Sequence, residues 1–101
     1  MKVHTQSIHF STDYKLEEFI EKKLSKLSQL FDRIIEANVI LKLENSGQIK
    51  DKVAEVKVTL PGGVLFVKET NQSFEASIDS ATAALRRQLI KYKERMRSKT
   101  A

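Results

Sequence analysis

The hydrophobic period of this chain changes twice, and that change limits the fold more than any other feature of the sequence. Leu16, Ile20, Leu24, Leu27 and Phe31 recur at helical spacing, with Phe19 and Leu30 widening the stripe, which is the signature of one buried helix face. The period then falls to two. Ala37, Val39, Leu41 and Leu43 alternate with Asn38, Ile40, Lys42 and Glu44, and Ala54, Val56, Val58 and Leu60 alternate with Glu55, Lys57 and Thr59. Such alternation buries one face of a strand and wets the other. Helical spacing returns in Phe74, Ile78, Ala81, Leu85, Leu89, Tyr92 and Met96.

Local signals punctuate these runs. Val3 to Phe10 reads as an opening strand. Ser11-Thr12-Asp13 supplies a hydroxyl cap followed by an acid in the first turn, so a helix is expected from about Asp13 to Leu30. Asn45 to Asp51 is a polar loop, Pro61-Gly62-Gly63 a tight turn, and Val64 to Glu69 a short further strand. Ser73 is the expected cap of the last helix, with Glu75 in its first turn. The predicted class is α+β, in the order β-α-β-β-β-α. Two stripes are buried most simply by laying both helices on one face of a four-stranded sheet, a two-layer sandwich. The first crossover should be right-handed, leaving strand 1 parallel to strand 2 and the later strands antiparallel. With 101 residues, a single domain spanning 1–101 is expected.

Charge is distributed unevenly. The formal net charge is +5, yet residues 86–101 hold seven basic side chains (Arg86, Arg87, Lys91, Lys93, Arg95, Arg97, Lys99) against Glu94 alone. The rest of the chain is close to neutral. Cations suit the negative end of a helix dipole, but seven exceed what that end requires. Stepping about 100° per residue along the first helix places Glu17, Glu18 and Glu21 on one flank and Lys22, Lys26 and Lys23 on the other. Lys23 lies nearer the apolar stripe, where its stem can run along the edge of the core. On the last helix, Arg86, Lys93 and Arg97 flank one side of the stripe and Arg87, Lys91 and Arg95 the other. The expectation is one electropositive ledge across both helices, facing a polyanion, and nucleic acid rather than membrane. A membrane-surface helix is the competing use of such a pattern, but this stripe is needed for the core and tryptophan is absent.

Little else in the sequence suggests chemistry. There is no cysteine, which excludes disulfides, thiolate metal sites and thiol nucleophiles. His4 and His9, five apart, fall on opposite faces of a regular strand and cannot share a metal. Glu17, Glu18 and Glu21 would need a cleft to act as acid and base; a solvated helix flank is the commoner use. The Pro-Gly-Gly turn precedes a strand, so no helix N-terminus is there to hold a phosphate. The longest run of large apolar residues, Val64 to Val67, is far short of the ~20 residues needed to span a bilayer. These readings imply a cytoplasmic, non-enzymatic protein with no cofactor, no metal and no small-molecule substrate.

Three stretches carry a family resemblance. They are Glu21-Lys22-Lys23-Leu24-Ser25-Lys26-Leu27 continuing to Phe31-Asp32-Arg33-Ile34, then Val39-Ile40-Leu41-Lys42-Leu43-Glu44, and Ala76-Ser77-Ile78-Asp79 followed by Leu85-Arg86-Arg87-Gln88-Leu89-Ile90-Lys91-Tyr92-Lys93. The chain resembles the short ribosome hibernation promoting factors, a group that includes ribosome-associated inhibitors and carries the label sigma-54 modulation protein. The resemblance implies a fold like a double-stranded RNA-binding domain with an added first strand. It implies binding to the small ribosomal subunit and its ribosomal RNA, in the channel used by mRNA and by A- and P-site tRNA, so that idle ribosomes are inhibited. It also implies RNA contacts at Lys23, Lys26, Arg87, Gln88, Lys91, Lys93 and Arg95, to which composition adds Lys22, Arg86 and Arg97. Two positions depart from the family pattern. Ala84 stands where a lysine is common, with Arg86 as its possible stand-in, and Glu75 where an aromatic is common. The chain stops at Ala101, so pairing of ribosomes is expected to need a separate dimerising factor. The alternatives are a general RNA-binding domain and a protein-interaction module that modulates transcription.

Overall fold

The computed structural model describes residues 1–46 and 49–100. Its elements are β1 (Lys2–Ser7), α1 (Tyr14–Leu30), β2 (Glu36–Ser46), β3 (Ile49–Leu60), β4 (Gly63–Asn71) and α2 (Phe74–Thr100). The sheet order is β1-β2-β3-β4, with β1 parallel to β2 and the remaining pairs antiparallel. The expected order and the parallel first pair are both present.

Register explains why one face is dry. Val3 pairs with Ala37, Ala37 with Val58, and Val58 with Leu65, so one row of apolar side chains crosses the whole sheet. Both helices lie on that row: α1 against β1 and alongside α2, α2 over β3 and β4. Leu16, Ile20, Leu24 and Leu27 from α1 meet Ile78, Ala81, Leu85 and Leu89 from α2 in a single core with Val39, Leu41, Val56 and Val58. Fully burying a residue of this size contributes about 1.5–3 kcal/mol. Both helical stripes therefore rest on the same core.

The element ends differ from expectation for local reasons. β1 stops at Ser7: Ile8 still donates its N–H to Leu41 O at 2.9 Å, but His9 takes φ 67° and the chain turns away. Ser7 Oγ then donates to Phe10 O at 2.6 Å, and Phe10 stacks on Phe74 with centroids 4.9 Å apart. His9 is therefore not on a strand, and the face argument applied to the histidine pair falls away. The cap of α1 is Asp13 rather than a hydroxyl. Its Oδ1 accepts from Leu16 N at 2.7 Å, while Thr12 Oγ1 is occupied by Glu17 Oε1 at 2.6 Å. Ser73 caps α2 as expected, accepting from Ala76 N at 3.1 Å.

The polar stretch from Asn45 to Asp51 is mostly strand, because the β2–β3 ladder continues to the pair Ser46 and Ile49. Backbone pairing needs no apolar side chain. Gly47 and Gln48 of that stretch lie outside the described residues. The tight turn is Pro61 and Gly62, with Gly63 already paired to Leu60. Proline fixes φ near −65° and Gly62 has φ 80°, the combination of a type II turn, where the second position favours glycine. Leu43 and Met96, placed last in their stripes, are 40% and 39% exposed. Val53 breaks the alternation. It sits on the opposite face of the sheet between Lys42 and Thr70 and is nevertheless fully buried.

Candidate nucleic-acid interface

The packing of α1 beside α2 decides where each cation points. On α1 the acids turn away from α2: Glu17 and Glu21 line a shallow recess with Val3 and Thr5 of β1. The cations turn the other way. Lys23 and Lys26, with Leu27, line a groove between the helices whose far wall is Asp79, Thr82, Ala83 and Arg86. Three cations thus meet one carboxylate there. Lys22 is exposed on the outer surface of α1.

Two of the expected contact residues have structural work inside the protein. Lys23 is half-buried, its Nζ 5.5 Å from the Phe19 ring centroid and 2.9 Å from Asp79 Oδ1. Its stem covers the core edge while its charge joins the helices. Lys93 Nζ donates to Leu30 O at 2.8 Å. The last carbonyls of any helix lack intrahelical donors, and α1 carries no basic residue in its last turn. Lys93 supplies that missing cation from the neighbouring helix.

The remaining cations occupy two flanks of α2. Arg86 and Lys93 are on the flank turned to α1, with exposed Arg97 at the same helical angle. Gln88, Lys91 and Arg95 are on the flank turned to β4, where Arg95 borders a cleft with Gly63 to Leu65, Tyr92 and Met96. Arg87 is exposed between the two flanks. The structure therefore gathers Lys23, Lys26 and Arg86 in the groove, leaves Lys22 on the outside of α1, sets Lys93 against the end of α1 and spreads Arg87, Gln88, Lys91, Arg95 and Arg97 over the rest of α2, with no single row along the seam. Ala84 packs against the core. Arg86, two residues on, faces nearly the opposite way, so it cannot stand in at that position. Glu75 lies in the first turn of α2, where a carboxylate complements the helix dipole.

Asp79 and the Leu30 carbonyl went unseen in the sequence as partners. A signal was present: Asp79, Arg86 and Lys93 recur every seven residues, which places them on one flank. Among the described residues no cluster of three or more His, Cys, Asp or Glu side chains could hold a metal. No described helix is long and apolar enough to cross a membrane.

Comparison with known proteins places this geometry. The fold matches a ribosomal subunit interface protein from Coxiella burnetii with a TM-score of 0.82 at 23% identity, covering 93% of this chain and 99% of that one. It matches the N-terminal domain of Thermus thermophilus Protein Y with a TM-score of 0.79 at 28% identity, covering 91% and 99%. Ribosome hibernation promoting factors are similar in sequence. The one from Pseudomonas putida is 31% identical over 98 residues, 97% of this chain and 92% of the relative. That of Escherichia coli K12 is 35% identical over 82 residues, 81% and 82% of the two chains. A Deinococcus radiodurans ribosome hibernation promotion factor is 35% identical over 82 residues, but the match spans only 42% of that longer protein. The sequence pattern of the sigma 54 modulation protein / S30EA ribosomal protein family extends over residues 3–97, and the chain belongs to that family.

Proposed function

We propose that this chain is a ribosome hibernation factor that acts by occupancy and not by catalysis, in the cytoplasm and on the ribosome. It binds the small ribosomal subunit in the mRNA and tRNA channel. Cations of both helices neutralise phosphates of ribosomal RNA, and the bulk of the domain then excludes mRNA and tRNA. The observation that carries this reading is the sorting of charge. Acids of α1 turn toward β1, while Lys26, Arg86, Arg87, Lys91 and Arg95 lie outside any ion pair among the described residues. Membership of the family and the names of the relatives support it.

The test is cosedimentation with purified small subunits across a salt series, followed by a map of protected ribosomal RNA. Each phosphate neutralised contributes about −0.7 to −0.9 to the slope of log affinity against log salt. The informative variant is K26A/R87A/K91A, which spares Lys23 and Lys93 because those two hold the helices together. Its slope should be shallower by roughly 2–3, and protection should fall in the mRNA and tRNA channel. Undiminished binding by this variant at physiological salt overturns the interface. Equal affinity for free duplex RNA would instead make the chain a general RNA-binding domain. Binding that survives salt strong enough to abolish RNA association would make it a protein-interaction module.

A further inference from the structure

The flank of α2 turned away from α1 borders a concavity that is separate from the inter-helix groove. Gly63, Val64, Leu65, Tyr92, Arg95 and Met96 line an open cleft of about 280 Å³ between the β3–β4 turn and α2. That is near the lower limit of ligand pockets, roughly 300–1,000 Å³, and suits one small planar group. Gly63 helps to keep it open. A Cβ there would lie 3.5 Å from Tyr92 Cε2 with nothing else within 4 Å, so any larger side chain would occupy the space beside the ring.

The ring itself is fixed. Tyr92 Oη donates to Pro61 O at 2.9 Å, and its ring meets Phe31 edge-on with centroids 5.7 Å apart. An aromatic wall held in place costs little ordering when a ligand arrives. Arg95 stands on the rim, and Lys91 and Gln88 follow on the same flank, one turn and two turns back. An aromatic ring next to a cation is the combination that holds unpaired nucleotides, the base by stacking and the phosphate by charge. Duplex RNA offers no unstacked base to such a cleft.

We propose that this cleft takes one unpaired nucleobase from a single-stranded RNA segment, with the base beside Tyr92 and its phosphate on Arg95. The inference rests on the RNA-contact reading above and adds a base-holding subsite to it. It also gives the flank of α2 that α1 does not cover a use of its own.

The chain offers its own reporter. It has no tryptophan and two tyrosines, so Y14F leaves Tyr92 as the sole source of tyrosine emission, and Tyr14 is an exposed residue at the far end of the fold's first helix. The full chain carrying Y14F is titrated with tetra-adenylate RNA and with an abasic ribose-phosphate tetramer of equal charge. Tetra-adenylate should change Tyr92 emission and bind at least about fivefold more tightly than the abasic tetramer, as expected for one stacked base. Adding G63A, a methyl at ordinary contact distance with no change of charge, should remove most of that difference. Adding R95Q should weaken both tetramers alike. Equal affinity for the two tetramers, or unchanged Tyr92 emission with tetra-adenylate, overturns the cleft. The two readings fail separately. Retained subunit binding by K26A/R87A/K91A overturns the subunit interface and leaves the tetra-adenylate result standing, whereas a silent Tyr92 removes the cleft and leaves the interface standing.

Discussion

The open face of the sheet and the helix layer carry charges of the same kinds and use them in opposite ways. On the sheet, Lys42 Nζ lies 2.6 Å from Glu55 Oε2 and 3.7 Å from Glu44 Oε1, and Lys68 Nζ lies 3.3 Å from that same Glu44 oxygen. Strand register places opposite signs next to one another there. On the helix layer Lys23 pairs with Asp79, but Lys22, Lys26, Arg86, Arg87, Lys91 and Arg95 have no ion-pair partner among the described residues. Exposed pairs contribute little stability, yet they cancel the field that a polyanion would feel. The net +5 is therefore carried on the helix side, and pairing geometry, more than net charge, decides which face stays electropositive.

The largest effect should come from removing equal charge on the two sides. K26A/R87A/K91A and K42A/K57A/K68A each delete three lysine or arginine charges. At ~0.15 M salt each lost phosphate contact is worth a factor of about four to five, if binding at ~1 M salt is unchanged. The helix triple should thus weaken small-subunit binding by roughly a hundredfold, while the sheet triple stays within about twofold, both read by cosedimentation. Equal losses would mean that net charge alone steers the protein, and the contrast between the faces would fail.

A smaller effect separates cations that hold the fold from cations that face outward. K93M keeps the aliphatic stem and removes the donor to Leu30 O. Stability in urea should fall by about 1.5–3 kcal/mol, the range of a hydrogen bond to a charged group. K91M, on the exposed flank, should stay within about 0.5 kcal/mol. Equal costs would erase the distinction drawn between these two lysines.

What could be read from the sequence follows the same division. The apolar periods of α1, β2, β3 and α2 placed the core because burial is set by spacing, and the side of α1 on which Glu17 and Glu21 lie followed from 100° steps. Side-chain partners were harder to see. Lys93 looks like any other lysine in its run until α1 ends beside it, and Lys23 meets Asp79 only because two helices from distant parts of the chain lie side by side. The strand content of residues 45–51 was hidden because a ladder runs on backbone groups, which the side chains there do not advertise. The cleft at Gly63 required the turn and the helix to be seen together.

The smallest effect belongs to Lys42, and it concerns the paired face alone. Its hydrogen bond to the Glu55 carboxylate raises its pKa above the ordinary 10.5, outweighing a modest lowering by desolvation, with further help from the charges of Glu55 and Glu44. A lysine whose folded pKa is raised contributes stability that is fully present below the unfolded value and is lost as pH climbs through the folded one. The urea midpoint should therefore drop as pH rises above the ordinary lysine value. The comparison is between K42M and K57M, since Lys57 on the same face has no ion-pair partner among the described residues. K42M should be the less stable of the two at neutral pH and should lose less on going alkaline. Parallel curves for both variants would mean that the sheet-face pairs are electrostatically silent in the folded state, and the cancellation of charge on that face would then lie in mean composition and not in contacts.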